Sequence, residues 1–248
     1  MVLFIAFLGG VLPALVWLLF WLLEDKCEPE PKKFIFLTFI LGMLAVPLVL
    51  PIEQHVAAFF SGSVLLIVWA GLEECFKFAA AYLGGLRWRV FDEPLDAVIY
   101  MVTAALGFDA MENAFFIFSP LMHGDLLKTI ATGDLRFIGA TLLHTLASGT
   151  IGVCLALTYF RSSAVRRLAA GVGVILAIAL HSLFNIFILQ KGGGATFWVF
   201  LVIWFGIVAA LLMTERVKQP KRDYCCFCMA KEKKSLFDWL TGSSGEDE

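Results

Sequence analysis

Seven long apolar blocks dominate the sequence and set the first limit on what this chain can fold into. The blocks lie at 2–23, 34–52, 63–83, 95–118, 137–159, 168–190 and 195–214. Each is close to the roughly 20 residues that an α-helix needs to cross the hydrocarbon core of a membrane. A helix also satisfies its own backbone polar groups, as a bilayer requires. We therefore predict an all-α, polytopic membrane protein, a bundle of about seven transmembrane helices.

The composition supports this fold class and excludes several others. Hydrophobic residues make up 60% of the 248 residues and charged residues 16%, whereas a soluble domain is about half apolar and about a quarter charged. The formal net charge of −2 is not the basic surface that nucleic-acid binding requires. We expect a transmembrane domain over 1–214, a polar cytoplasmic tail over 215–248, and no nucleic-acid partner.

Lys and Arg residues in the connectors predict the orientation, because cytoplasmic connectors carry an excess of both. With the N-terminus outside, the inside connectors and the tail hold 15 of the 19 basic residues, and the outside connectors hold three. The remaining one, Lys77, lies within an apolar block. We therefore predict seven crossings, with the N-terminus outside and the C-terminus cytoplasmic. Pro47 and Pro51 predict that the second helix kinks or ends early.

The six cysteines do not form the pattern of a disulfide framework. Cys75 and Cys154 lie inside apolar blocks, and Cys225, Cys226 and Cys228 crowd into the tail. The tail spacing differs from the paired C-x-x-C of a zinc ribbon. We expect free thiols, with a metal site or lipid acylation of the tail cysteines as the alternatives.

Polar and ionisable residues within four of the apolar blocks are the strongest functional signal. A charged group there costs about 2.5–3.5 kcal/mol to insert, so such groups persist where they pair, line water or take part in chemistry. The residues are Glu73, Glu74 and Lys77 in the third block, Asp109, Glu112 and Asn113 in the fourth, His144 in the fifth, and His181 and Asn185 in the sixth. Spacings of three or four residues within a block put its members on one helix face.

These residues are also predicted to share a depth in the membrane. Counted from the outer helix ends at about 1.5 Å per residue, the two acids of the third block lie about 15–17 Å down, and Glu112, His144, His181 and Asn185 lie about 8–13 Å down. All of them fall in the outer half of a hydrocarbon core about 30 Å thick. We therefore expect acids, imidazoles and an amide from four helices to meet in one layer that opens to the outside.

This set of groups suits hydrolysis of a peptide bond by an activated water. A carboxylate shielded from bulk water can act as a general base. Imidazole and amide groups can hold the water, stabilise a developing oxyanion and protonate a leaving amine. The sequence has no G-x-S-x-G motif that would indicate a serine nucleophile instead.

Four other interpretations of the same residues stay open. The acids and Lys77 can form a structural ion triad. His144 and His181 can be axial ligands of a haem. A zinc ion can be held by Glu73 or Glu74 with Glu112 and the two histidines. Intramembrane acids and histidines can also relay charge in a proton- or ion-coupled transporter.

Taken in order, four short motifs on successive blocks resemble those of the PrsW family of glutamic intramembrane proteases, a group related to the CAAX prenyl endopeptidases. The motifs are Glu73-Glu74-x-x-Lys77, Gly107-Phe108-x-x-x-Glu112-Asn113, the single His144, and His181-x-x-x-Asn185. The resemblance covers about 63–190.

The resemblance implies a membrane-embedded endopeptidase without a catalytic metal or another cofactor. It implies that the Glu73-Glu74 pair supplies the base that activates water, and Glu73 is favoured because it matches the first acid of the motif. It also implies that His144 and His181 assist and that Asn185 helps to stabilise the oxyanion.

The resemblance also implies supporting residues, a substrate and a location. Glu112 orients the catalytic groups, and Lys77, Asp109 and Asn113 support them. The expected partners are the lipid bilayer and a membrane-anchored protein, such as an anti-sigma factor cut on its extracytoplasmic side. The expected location is the plasma membrane of a bacterium or an archaeon. Asp109 departs from the family pattern, in which a small residue is expected, and this predicts an added polar wall, a metal ligand or a changed substrate.

Overall fold

The computed structural model describes residues 1–24, 29–190 and 196–218, and these residues form eight α-helices without a strand. The helices are α1 (Val2–Glu24), α2 (Lys32–Val56), α3 (Gly62–Ala81), α4 (Pro94–Met122), α5 (Leu126–Leu135), α6 (Thr141–Leu157), α7 (Ser163–Gln190) and α8 (Thr196–Lys218). A π-helical turn extends α3 over Tyr82–Leu86, and another precedes α6 over Arg136–Ala140. The predicted all-α class is confirmed.

Four of the described helices, α1, α2, α4 and α7, are long and apolar enough to cross a membrane, judged by length and composition. A shorter apolar helix, α6, lies among them. The chain is thus a polytopic, all-α membrane protein. The count of seven crossings, the orientation and the division at residue 214 stay predictions.

The helix ends differ from the predicted block limits in three places. α2 passes through Pro47 and Pro51 and continues to Val56, so the predicted early end is wrong. Neighbouring helices can compensate for the backbone hydrogen bond that a proline removes. The predicted connector 119–136 contains the short helix α5. α7 begins at Ser163, before the apolar stretch that marked its block.

The central element is α4, of which 94% of the apolar span is buried inside the protein. It packs against α1, α2 and α6. Glycines let α2 and α4 approach closely, since a Cβ on Gly42 would overlap the carbonyl oxygen of Ala104 and a Cβ on Gly107 would overlap that of Phe39. Such close backbone contact is a usual way for membrane helices to pack. The acids that α4 carries are therefore surrounded by protein rather than lipid.

Three further packings bring the other polar helices to α4. α6 lies between α4 and α7, and α3 packs against α2, α4 and α7. The helices α3, α4, α6 and α7, which carry all the predicted site residues, thereby enclose one layer of the bundle. Of the cysteines, Cys75 and Cys154 are free thiols, as predicted. The tail cysteines Cys225, Cys226 and Cys228 lie outside the described residues.

Candidate active site

A buried ammonium group joins the two acids of α3. Lys77 has no exposed surface, and its Nζ lies 2.8 Å from Oε1 of Glu74 and 3.5 Å from Oε2 of Glu73. Both contacts follow from helical spacing, because residues three and four positions apart share a face. The same ammonium lies 4.5 Å from the centre of the Phe108 ring. Oppositely charged side chains of one helix thus compensate each other's charge in a place from which the protein excludes water.

The two acids differ in how fully they are hydrogen-bonded. Glu74 is completely buried, and it accepts hydrogen bonds from Ser148 Oγ of α6 at 2.9 Å and from His181 Nδ1 of α7 at 2.9 Å as well as from Lys77. Glu73 keeps 8% of its surface exposed, and its contacts are longer, 3.5 Å to Lys77 and 3.8 Å to Nε2 of His181. The carboxylate of Glu73 is therefore the freer of the two to accept a proton.

His144 connects the acids of α3 with those of α4. Its Nδ1 lies 2.7 Å from Lys77 Nζ, and its Nε2 lies 3.0 Å from Oε2 of Glu112. Because an ammonium group only donates, Nδ1 is the acceptor and the ring proton lies on Nε2, where it is donated to Glu112. Both ring nitrogens of His144 are thus committed to protein partners.

A second group of polar side chains surrounds Glu112 toward the C-terminal end of α4. Arg136 Nη2 donates to Oε2 of Glu112 at 2.7 Å, and Arg136 Nε donates to the amide oxygen of Asn113. Asn113 Nδ2 donates in turn to Asp109 at 2.9 Å, and Thr141 Oγ1 donates to the same Asp109 oxygen at 2.7 Å. The predicted supporting residues Asp109 and Asn113 therefore orient Arg136 and Glu112 rather than the acids of α3.

The imidazole rings of His144 and His181 contact each other beside the acids of α3. The ring centres of His144 and His181 are 5.0 Å apart, and the ring planes are nearly perpendicular at 85°. Since Nδ1 of His181 donates to Glu74, its Nε2 carries a lone pair that faces Oε2 of Glu73 across 3.8 Å. A separation above 3.5 Å between two acceptors is one that a bridging water can span. This pair is therefore the candidate position for a water between a base and an imidazole.

The predicted residues converge with one partial exception. Glu73, Glu74 and Lys77 contact His144 and His181, and the α4 group is joined to them through His144, as described above. Asn185 lies one turn beyond His181 and is half-buried. Its side chain forms no hydrogen bond with the part of the chain that the structure describes, so the amide is free to meet a substrate.

Two residues near the site were missed by the sequence analysis. Arg136 was counted as an outer connector charge, although it pairs with Glu112. Glu53 was placed beyond the end of the second block, although it is a buried residue in the last turn of α2. The signal for Arg136 was its position immediately before the fifth block. For Glu53 no signal was available once Pro51 was taken as a helix end.

The haem and zinc interpretations can be tested against this geometry. The edge-to-face contact of His144 and His181 at 5.0 Å leaves no room for a porphyrin between the rings. Glu73, His144 and His181 offer ligand atoms within 4.8 Å of one another, which matches a catalytic zinc site in residue type. However, the one lone pair of His144 accepts from Lys77 at 2.7 Å. The set does not fit a metal ion unless this buried ammonium moves away.

Comparison with known proteins identifies the family to which the chain belongs. A family model described as "PrsW family intramembrane metalloprotease" matches residues 30–211. Protease PrsW of Geobacillus kaustophilus is 26% identical over 219 residues, which is 86% of this chain and 91% of that protein. Protease PrsW of Halalkalibacterium halodurans is 24% identical over 217 residues, covering 85% and 94% of the two chains.

A third relative, Protease PrsW of Clostridioides difficile, is 28% identical over 188 residues, or 72% of this chain and 77% of that protein. No solved structure matches the chain. The family match spans most of the eight helices and includes every predicted site residue. The chain therefore belongs to the PrsW family of membrane proteases.

Proposed function

We propose that this protein is a metal-independent glutamic endopeptidase that hydrolyses a peptide bond of a membrane-anchored protein, with Glu73 as the base. The observation that carries the proposal is the pair of facing acceptors, Oε2 of Glu73 and Nε2 of His181, 3.8 Å apart. Beside them, Glu74 accepts from three donors, whereas Glu73 accepts from Lys77 alone, at 3.5 Å. Glu73 is thus the carboxylate of the α3 pair with more capacity to take a proton from a bound water.

In the proposed reaction, a water between Glu73 and His181 gives a proton to Glu73 and attacks the scissile carbonyl carbon. Asn185 donates its amide N–H to the oxygen on which negative charge develops. His144 packs against His181, and its hydrogen bond with Glu112, which Arg136 holds in turn, keeps it oriented. Glu74 fixes the tautomer of His181 by accepting its Nδ1 proton.

Metal independence is part of the proposal because Lys77 already supplies the positive charge that a metal ion would bring. Its ammonium is 2.7 Å from His144 and 2.8 Å from Glu74. The family is described as one of intramembrane metalloproteases, and a zinc-dependent reaction is therefore the alternative within the same function. It requires Lys77 to leave its place and His144 to release its lone pair.

The proposed substrate is the membrane-anchored protein itself, cut toward the extracytoplasmic face, with an anti-sigma factor as the candidate. The support is the predicted depth, because the catalytic groups fall in the outer half of the membrane when the N-terminus is outside. The resemblance to the PrsW family points to the same face.

The test is co-expression of the full chain with a tagged candidate substrate. Glu73→Gln and His181→Ala should each reduce the cleaved fraction at least about 100-fold, as loss of an acid–base group does, without changing the amount of inserted protein. Lys128→Gln is the control, since Lys128 is exposed on α5. Cleavage by both site variants at the unmodified rate would refute the proposal. Ion flux in liposomes without any cleaved product would favour a transporter.

A further inference from the structure

Glu53 is a buried carboxyl group for which the reaction above has no use. It lies in the last turn of α2, with 9% of its surface exposed. Its Oε1 is buried and has no hydrogen-bond partner among the residues that the structure describes. Buried polar atoms are nearly always hydrogen-bonded, and an exception calls for an explanation.

The side chain of Glu53 is buried in the bundle rather than exposed at the lipid surface. The charges that act on it are those of Glu73 and Lys77 of α3 and Glu112 of α4. Trp69 Nε1 donates to the backbone oxygen of Glu53 at 3.1 Å, and Trp69 lies one helical turn before Glu73. This hydrogen bond ties the last turn of α2 to α3 one helical turn before the base.

The surroundings of Glu53 favour its neutral acid. An ionised carboxylate with a buried, unpartnered oxygen loses the hydration that stabilises its charge. The acids Glu73 and Glu112 add repulsion, while Lys77 is already engaged by Glu73, Glu74 and His144. A protonated carboxyl beside a carboxylate base is an arrangement in which one group can give a proton while the other takes one.

The histidines of the site do not offer a free proton in this arrangement. His144 donates its Nε2 proton to Glu112, and His181 donates its Nδ1 proton to Glu74. Amide hydrolysis needs a proton donor, because an amine leaves poorly unless its nitrogen is protonated. Apart from the proton that Glu73 takes from the water, the site then has a second donor for the leaving nitrogen in the carboxyl of Glu53.

We propose that Glu53 is the general acid that protonates the leaving amine. This inference rests on the proposed function. Water gives one proton to the Glu73 carboxylate and its hydroxide adds to the carbonyl carbon. The tetrahedral oxyanion then re-forms the C=O bond, the C–N bond breaks, and the nitrogen takes the proton of Glu53. The products are a carboxylic acid and a neutral amine, and transfer of the proton from Glu73 to Glu53 through water restores both groups.

The experiment compares two leaving groups on one substrate. The full chain, reconstituted in lipid vesicles, receives a transmembrane peptide that the unmodified chain cleaves and the same peptide with an ester in place of the scissile amide. An alkoxide is a far better leaving group than an amide anion, so the ester does not need the acid. Glu53→Gln should lose at least about 100-fold in kcat on the amide, with KM unchanged, and should stay within about threefold of the unmodified chain on the ester.

Two further variants distinguish failure of the role assigned to Glu53 from failure of the proposed function. Glu73→Gln should lose both activities, because both bonds need the activated water, and full activity of this variant would overturn the proposed function instead. Gln54→Ala, an exposed neighbour on the same turn, should cleave both substrates normally. Equal losses on amide and ester in Glu53→Gln, or no loss on either, would overturn the role of Glu53 while leaving the base in place.

A second measurement does not depend on catalysis. The infrared spectrum of the unmodified chain at neutral pH should contain the carbonyl band of a protonated carboxyl that is missing from the spectrum of Glu53→Gln. Identical spectra in this region would mean that Glu53 is ionised and cannot be the proton donor. The groups that face it, Glu73, Lys77 and Glu112, stay unchanged in this comparison.

Discussion

Replacing Lys77 by Met tests whether one buried ammonium holds the site together. Its Nζ lies within 2.8 Å of Glu74 and 2.7 Å of His144, and the residue has no exposed surface. Met has a similar length and keeps the apolar stem, so the change removes the charge and the donors but little volume. The effect therefore reports the ion cluster rather than a cavity.

The expected loss is about 3–5 kcal/mol of the free energy of unfolding, the usual cost of removing one partner of a buried ion pair. The loss should be this large because Glu74 is fully buried and keeps only the neutral donors Ser148 and His181. Lys77→Met combined with Glu74→Gln removes both charges. This double variant should recover most of the loss, since replacing a whole buried pair is often close to neutral.

The assay is unfolding by SDS in mixed micelles, followed by far-ultraviolet circular dichroism, for the two single variants and the double variant. Lys128→Gln is the control for loss of an exposed lysine and should change stability by less than about 0.5 kcal/mol. The reasoning is wrong if Lys77→Met costs less than about 1 kcal/mol, or if the double variant is no more stable than Lys77→Met.

Three further predictions address the metal, the connector between α1 and α2, and the helix packing. Prolonged dialysis against a strong chelator should leave cleavage unchanged, and recovery by added zinc after a loss would contradict metal independence. Burial raises the pKa of the Glu30 carboxyl, which accepts a hydrogen bond from Tyr100. In the folded protein this carboxyl keeps a proton that the unfolded chain releases. The free energy of unfolding therefore falls as the pH rises above the pKa that Glu30 has in the unfolded chain. Glu30→Gln should therefore gain thermal stability relative to the unmodified chain as the pH rises above the ordinary carboxyl value of 4.5, and parallel curves would argue against this. Gly107→Ala should destabilise by about 1–3 kcal/mol, because its Cβ meets the backbone of Phe39. Gly171→Ala, where a Cβ meets nothing within 4 Å, should be neutral or stabilising.

Several parts of the site followed from local patterns. Glu73 and Lys77 share a helix face because of their spacing, and His181 and Asn185 do so for the same reason. Other parts did not follow, because they depend on where one helix meets another. Arg136 contacts Glu112 across the short helix α5, which no periodic signal indicated within a connector of polar and turn residues.

The limits of helices were the least accurate part of the sequence analysis. The prolines of α2 indicated an early end, yet the helix continues to Val56. In a bundle, neighbouring helices surround such a segment and make a helical backbone the least costly form even beside a proline. Because the helix continues, Glu53 is a buried residue of α2 and not part of a connector.

The apolar blocks by themselves determined that this chain is a helical membrane protein, because a bilayer leaves few ways to satisfy a backbone. The cost of placing charge in hydrocarbon likewise identified the acids, Lys77 and the histidines as candidate functional residues. Only the tertiary structure decided which of the two adjacent acids accepts more hydrogen bonds, because Ser148 and His181 reach Glu74 from helices far away in the chain. Spacing along α3 cannot distinguish Glu73 from Glu74, because the two acids differ in the hydrogen-bond donors that α6 and α7 place beside them.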